Sequence, residues 1–184
     1  MNPMIYTCTI DTPLGDMTAA VKEDALSGLW FIGQKHYPSQ RAQWYCQPNH
    51  PVLNALREHL ADYFSGKSSM FDIRLDPPGS PFQKAVWNIL LKIPMGKVVT
   101  YGQIARCIAK KRGVNTMSAQ AVGGAVGRNP VSILIPCHRV IGSDNSLTGY
   151  AGGLEKKMAL LQIEKSKIRF LTQGVIKTKG DSNT

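Results

Sequence analysis

A chain of 184 residues with 43% hydrophobic and 18% charged residues holds enough apolar surface for one compact unit, or two small domains sharing a core, without disulfide or metal staples. No apolar run reaches the length of a membrane span, and the first ten residues lack the basic-then-apolar layout of a secretion signal. The net charge of +10 is uneven: residues 1–78 carry six basic and eight acidic side chains (−2), residues 79–166 twelve and three (+9), and residues 167–184 four and one (+3).

In the first stretch, residues 5–10 alternate as a strand, Thr12-Pro13-Leu14-Gly15 makes a turn, and residues 17–21 and 29–32 continue as strands. Pro51 opens a helix whose apolar positions Val52, Leu53, Leu56, Leu60, Tyr63 and Phe64 recur at helical spacing, and Gly66-Lys67-Ser68-Ser69 ends it. This α+β layer shows no chemistry. Cys8, His36, Cys46 and His50 are too scattered for a ligand set, and Cys8, Cys46, Cys107 and Cys137 form no paired framework. A reduced protein with no metal and no cofactor is expected, cytoplasmic in a bacterial or archaeal cell and nuclear in a eukaryotic one. Asp76-Pro77-Pro78-Gly79 reads as a linker.

Beyond it, Ser80 and Pro81 cap and open a helix carrying Phe82, Val86, Ile89, Leu90 and Ile93 on one face. Pro94-Met95-Gly96 stops it, residues 97–99 are extended, and Thr100 caps a second helix with Tyr101, Ile104, Ala105 and Ile108. After the basic turn, Ser118 caps a third helix over residues 119–127, rich in Ala and Gly. Gly123, Gly124 and Gly127 each cost roughly 1 kcal/mol against Ala there. The helix is therefore either packed tightly inside the protein or slim enough to enter a narrow groove. The helix pair suggests a helix-turn-helix, and the positive charge around it a polyanion partner rather than a merely solubilising surface.

Asn129-Pro130 ends the third helix, residues 132–135 read as a buried strand, and Pro136-Cys137-His138-Arg139 follows. A thiol beside an imidazole, between a strand and a Gly-rich loop, is a candidate activated nucleophile; a packing cysteine is the other reading of the same dipeptide.

The run from Ile133 to Gly142, followed by Gly149-Tyr150-Ala151-Gly152-Gly153-Leu154 and the stretch from Lys157 to Glu164, resembles the O6-alkylguanine-DNA alkyltransferase family. The resemblance covers residues 81–164 well and residues 1–78 more loosely. It implies a mixed α/β (α+β) fold: a ribonuclease-H-like N-terminal subdomain over 1–78, then a mostly helical, winged-helix-like DNA-binding and catalytic subdomain over 79–166. The basic tail over 167–184 is expected to be frayed.

By the same resemblance, Cys137 is the alkyl acceptor, His138 the base that polarises it through water, and Glu164 the acid that orients His138. Asn129 supports the active-site turn, and Tyr101 helps rotate the nucleotide and protonates the leaving purine. The carbonyls of Cys137 and Val140, with Tyr150 and Ala151, line the guanine pocket, and Lys157 lies nearby. Gln120, Ala121, Gly124 and Arg128 belong to a helix that enters the DNA minor groove. The implied activity is single-turnover, sequence-independent repair of O6-alkylguanine, and of O4-alkylthymine, by a monomer that flips the lesion out of the duplex.

Two departures stand out: Gln120 occupies a position where the family usually places an arginine, and the turn over 110–117 is a few residues longer than is common. A non-catalytic lesion-binding relative and a papain-type Cys-His hydrolase are the competing readings. The first would lack the thiol, and the second leaves the basic helices unexplained.

Overall fold

The computed structural model describes residues 4–39, 44–67 and 71–165; the basic tail therefore lies outside the described residues. Strands β1 (Ile5–Ile10), β2 (Met17–Lys22), β3 (Ala25–Phe31) and β4 (Trp44–Cys46) form a sheet in the order β3-β2-β1-β4. β1–β2 and β2–β3 are antiparallel, whereas β4 joins β1 in parallel. The predicted turn after β1 is tied by Thr12, whose hydroxyl donates to the Gly15 carbonyl at 2.6 Å while Gly15 takes φ 106°.

β3 starts four residues before the position that patterning gives, because Glu23 and Asp24 turn the chain at φ 48° and 58° without the glycine or asparagine that would announce a hairpin. All seven of its residues are buried, so it lacks the alternation of a half-exposed strand. β4, three residues long and partly exposed, carried no sequence signal.

Helix α1 (Pro51–Phe64) packs against β1 and β2 through Leu53, Leu56, Leu60 and Tyr63, with His50 Nδ1 accepting from the Val52 amide as its N-cap. In the second half the capping residues fall where the sequence puts them. Ser80 and Thr100 each form a reciprocal box, with Gln83 and Gln103, on α2 (Pro81–Leu90) and α3 (Tyr101–Arg112). Ser118 caps α4 (Ala119–Gly127). The extended piece before α3 is β5 (Val99–Thr100), paired in parallel with β6 (Val140–Ile141), and α5 (Leu154–Ile163) closes the described chain. Trp87 Nε1 donates to the Ala125 carbonyl at 3.0 Å and pins α2 to α4.

The two halves share one apolar core, and β3 joins them along its outer edge. Leu26 exchanges backbone hydrogen bonds with Arg74 and Asp76 at 2.8 and 3.0 Å, and Leu29 with Pro130 and Ser132 at 2.8 and 2.9 Å. The second pair of bonds corrects the strand expected over 132–135: only Val131 bridges to β3. The chain then coils, with the Ile135 amide bonding back to the Val131 carbonyl at 3.1 Å and Ile133 held at φ 72°. A five-residue, mostly apolar run between two prolines, Pro130 and Pro136, reads the same whether it is a buried strand or a buried turn. A β-branched residue at positive φ is strained, and it marks a segment that its surroundings force into shape.

Candidate active site

The coiled segment after β3's edge delivers the thiol, and Asn129 shapes it from inside. The Asn129 Oδ1 accepts from the Val131 amide at 2.9 Å. Its Nδ2 faces the carbonyls of Ile135 (2.8 Å) and Val131 (3.2 Å) and the Sγ of Cys137 (3.1 Å). An amide that sees an N–H on one side and acceptors on the other has only one satisfactory orientation. The same side chain therefore sets the turn and points a donor at sulfur.

Cys137 begins a single 3-10 turn, Cys137–Arg139, and is 5% exposed. Burial pushes its thiol pKa up, while the Asn129 hydrogen bond and the Lys157 charge pull the other way. At rest the group is a thiol that needs a base. The next residue supplies one. His138 is fully buried, with Nε2 at 2.7 Å from Glu164 Oε1 and a buried Nδ1 that has no hydrogen-bond partner among the described residues. Burial lowers the imidazole pKa against the pull of Glu164, so the ring is neutral. A neutral ring beside a carboxylate carries its proton on Nε2, which leaves the Nδ1 lone pair open.

Burial alone would raise the Glu164 pKa; hydrogen bonds from His138 and Arg139, together with the Arg139 charge, outweigh it and hold the carboxyl at about 2. Arg139 grips both oxygens, Nε to Oε2 and Nη2 to Oε1, each at 2.8 Å, and its Nη1 donates to the Ile93 carbonyl. The third donor to Oε1 is the Tyr63 hydroxyl from α1, at 2.8 Å.

Lys157 is also fully buried, and its Nζ donates to the carbonyls of Val140 (2.5 Å), Thr148 (2.6 Å) and Gly149 (3.4 Å). Burial lowers its pKa to about 8. One lone pair of the Val140 carbonyl is thus taken by Lys157, and only the second remains for a base edge. Tyr101, on the first turn of α3, donates its hydroxyl to the Thr148 carbonyl at 3.1 Å, and burial raises its pKa so that it stays protonated. The Tyr150 hydroxyl is buried, and the Ala151 carbonyl accepts from the Lys35 amide at 3.0 Å. Gly152 permits this approach: a Cβ there would sit 2.9 Å from the Tyr150 ring and 3.0 Å from Phe31.

The structure thus gathers Asn129, Cys137, His138, Glu164, Val140 and Lys157, with Tyr101 from α3 and the loop that carries Tyr150 and Ala151 on its flank. Gln120, Ala121, Gly124 and Arg128 are not among them; all four are exposed on α4 or at its end, whose other face buries Val122, Ala125 and Val126. A Cβ at Gly124 or Gly127 would meet nothing, and one at Gly123 would touch only the Tyr101 ring at 3.8 Å. The glycines of α4 accordingly thin its surface rather than serve internal packing.

Sequence reasoning missed Tyr63 and the pairing role of Arg139. Arg139 had a signal, since a buried carboxylate such as Glu164 requires a cation. Tyr63 had a weaker one, a hydroxyl on the buried face of a helix, which usually finds a partner.

Two family models match the chain: the DNA binding domain of 6-O-methylguanine DNA methyltransferase over residues 81–166, and the ribonuclease-like domain of the same family over residues 4–77. A methylated-DNA–protein-cysteine methyltransferase of Mycobacterium tuberculosis is 42% identical over 164 residues, 89% of this chain and 94% of the relative. One of that name from Methanosarcina barkeri is 42% identical over 165 residues, 90% of this chain and 100% of the relative. The crystal structure of Mycobacterium tuberculosis OGT in complex with DNA superposes with a TM-score of 0.76 at 40% identity, covering 88% of this chain and 93% of that one.

Proposed function

The chain belongs to the 6-O-methylguanine DNA methyltransferase family, and from that premise we propose that it repairs DNA by moving an alkyl group from O6 of guanine, or O4 of thymine, onto Cys137, once per molecule. The observation that carries the assignment of Cys137 is the buried relay beside it: Glu164 fixes the proton on His138 Nε2, and the open Nδ1 lies one residue from a thiol that Asn129 holds.

His138 Nδ1 takes the thiol proton, through a water, and the thiolate attacks the alkyl carbon in line with the C–O6 bond. A sulfur–carbon bond forms as that bond breaks, and the electron pair passes into the purine. Guanine is a poor leaving group until it is protonated, and Tyr101 is the donor; to reach the base its hydroxyl exchanges the Thr148 carbonyl for the purine. Asn129 and Lys157 balance the charge on sulfur until transfer. The thioether does not react further, so turnover stops after one event.

The lesion has to leave the base stack to meet a buried thiol. α4 is the element suited to the minor groove, with Ala121 and Gly124 keeping its outer face low, Gln120 at the gap in the stack and Arg128 at its end. The protein acts as a monomer and holds DNA through phosphate contacts from the basic half, independent of sequence.

Intact mass spectrometry after incubation with an O6-methylguanine oligonucleotide tests the reading. One methyl mass is expected per chain, on Cys137, and Cys137→Ala should abolish it while DNA binding persists. A methyl group on Cys8, Cys46 or Cys107 would overturn the assignment.

A further inference from the structure

We propose that Tyr63, in the N-terminal half, is a positioning residue for transfer: through its hydroxyl it holds the Glu164 carboxylate in line with His138. The inference rests on the reading of Cys137 and His138 above. Tyr63 is the last buried residue of α1 and is fully enclosed, with Phe64 and Phe71 rings against its own at centroid distances of 5.3 and 5.7 Å. Its hydroxyl reaches across 101 residues of sequence to Glu164 Oε1 at 2.8 Å.

The direction of that hydrogen bond is settled by the two groups. Glu164 is ionised and accepts only, and burial together with the Glu164 charge drives the Tyr63 pKa far above its ordinary value. Tyr63 is therefore a permanent donor. Oε1 takes three donors, from His138, Arg139 and Tyr63, and Oε2 takes one, from Arg139. Arg139 alone leaves the carboxylate free to rock about the axis of the fork; Tyr63 approaches Oε1 from a different element and removes that freedom.

The hydroxyl also tunes the relay. Each donor on a carboxylate weakens its pull on the others, so Tyr63 reduces the extent to which Glu164 favours the imidazolium form of His138. The titratable groups around this pair are Tyr63 from α1, Arg139 from the same turn as His138, Lys157 from α5, Tyr150 from the preceding loop, and Cys137 itself. Arg139 and Lys157 both disfavour the imidazolium, Tyr63 is a neutral donor to Glu164, and Tyr150 is a neutral phenol. Removing the Tyr63 hydroxyl leaves Glu164 the stronger partner and moves the His138 pKa up.

Two effects on single-turnover transfer follow for Tyr63→Phe, which keeps the ring. The plateau rate should fall about tenfold, the worth of one hydrogen bond to a charged acceptor. The acid limb of the pH–rate profile, where His138 must be neutral to accept the thiol proton, should move to higher pH by about half a unit to one unit. Affinity for DNA should stay as in the wild type.

Leu60→Ala, in the same buried face of α1 (2% exposed) with no atom in the relay, is the control: it should lower the melting temperature and leave the pH midpoint where it is. Wild-type rate and midpoint in Tyr63→Phe would overturn the proposal. So would an equal slowing of both variants with neither midpoint displaced, since that is what looser packing alone produces. A wild-type chain that acquires no methyl on Cys137 would remove the parent reading instead, before either variant is compared.

Discussion

The two halves of the molecule divide the work in a way that their charges hide. Residues 79–166, at net +9, carry the helices suited to DNA and every group that touches the thiol; residues 1–78, at net −2, carry none of them. Yet the reactive turn hangs from the first half. The edge of β3 holds Pro130 and Ser132 through Leu29, the Lys35 amide holds the Ala151 carbonyl, and Tyr63 holds Glu164. The reacting groups sit on turns and helix ends, which have little stiffness of their own, and the sheet supplies it. One half recognises and reacts, and the other half is the mount. Substitutions in the two should therefore fail differently: the first in rate or DNA affinity, the second in stability and in the precision of the relay.

The largest effect is expected inside the relay. His138→Ala or Glu164→Gln should slow single-turnover transfer by about 10²–10⁴, the usual worth of a positioned base, with DNA affinity little changed. Glu164→Gln also leaves Arg139 buried beside a neutral partner, and breaking such a pair costs about 3–5 kcal/mol, so the rates belong at a temperature where both variants are folded. Wild-type rates in both variants would mean that Asn129 and Lys157 suffice to form the thiolate, and the contrast between reacting half and mount would lose its centre.

Legibility in the sequence followed the kind of signal each element carries. Ser80, Thr100 and Ser118 were readable as caps because an N-cap depends on a few neighbouring residues and little else. β4 and the start of β3 were not, since pairing across the sheet decides them, with Glu23 and Asp24 making a turn that their side chains do not advertise. For residues 132–135 the apolar character was right and the geometry wrong, because Asn129 claims the carbonyls of Val131 and Ile135. In the site, Cys137, His138, Asn129 and Glu164 were nameable through family resemblance, and chemistry alone left a packing cysteine in contention. Tyr63 read as one more apolar position in α1; only the fold brings its hydroxyl to a carboxylate 101 residues away.

A smaller effect tests the mount at the seam between the halves. Gln34, 9% exposed, accepts the Phe31 amide at 2.9 Å and lies 3.4 Å from the Ser132 hydroxyl. Gln34→Ala strands a buried backbone donor at the end of β3, which costs about 1–3 kcal/mol. For a chain of this size the melting temperature should drop by roughly 2–4 °C per kcal/mol. Transfer to Cys137 measured well below that temperature should change by less than it does in His138→Ala. A loss of rate as deep as in the relay variants, with no loss of stability, would place Gln34 in the chemistry and erase the proposed division.

The smallest effect concerns the outer face of α4, the surface proposed to meet DNA. Gln120 is exposed on the first turn of α4, away from the core, so replacing it should leave the fold undisturbed. Flipping a base costs a few kcal/mol, and a side chain that enters the gap recovers part of it. Glutamine can fill the gap and hydrogen-bond to the orphaned partner base, but it brings no charge. Gln120→Arg should therefore raise the transfer rate on duplex DNA by about threefold to tenfold, a modest share of the flipping cost. It should have almost no effect on a free O6-alkylguanine base, which needs no flipping, and Gln120→Ala should lower the duplex rate alone. Salt dependence separates two ways in which the arginine could act. A new phosphate contact would steepen the salt dependence of binding by about one unit of log–log slope, for damaged and undamaged duplex alike. An arginine in the gap would favour the damaged duplex over the undamaged one at every salt concentration. Equal gains on duplex and free base would show that position 120 shapes the pocket, and no gain on duplex would pass the role to Arg128, the exposed cation at the other end of the same helix.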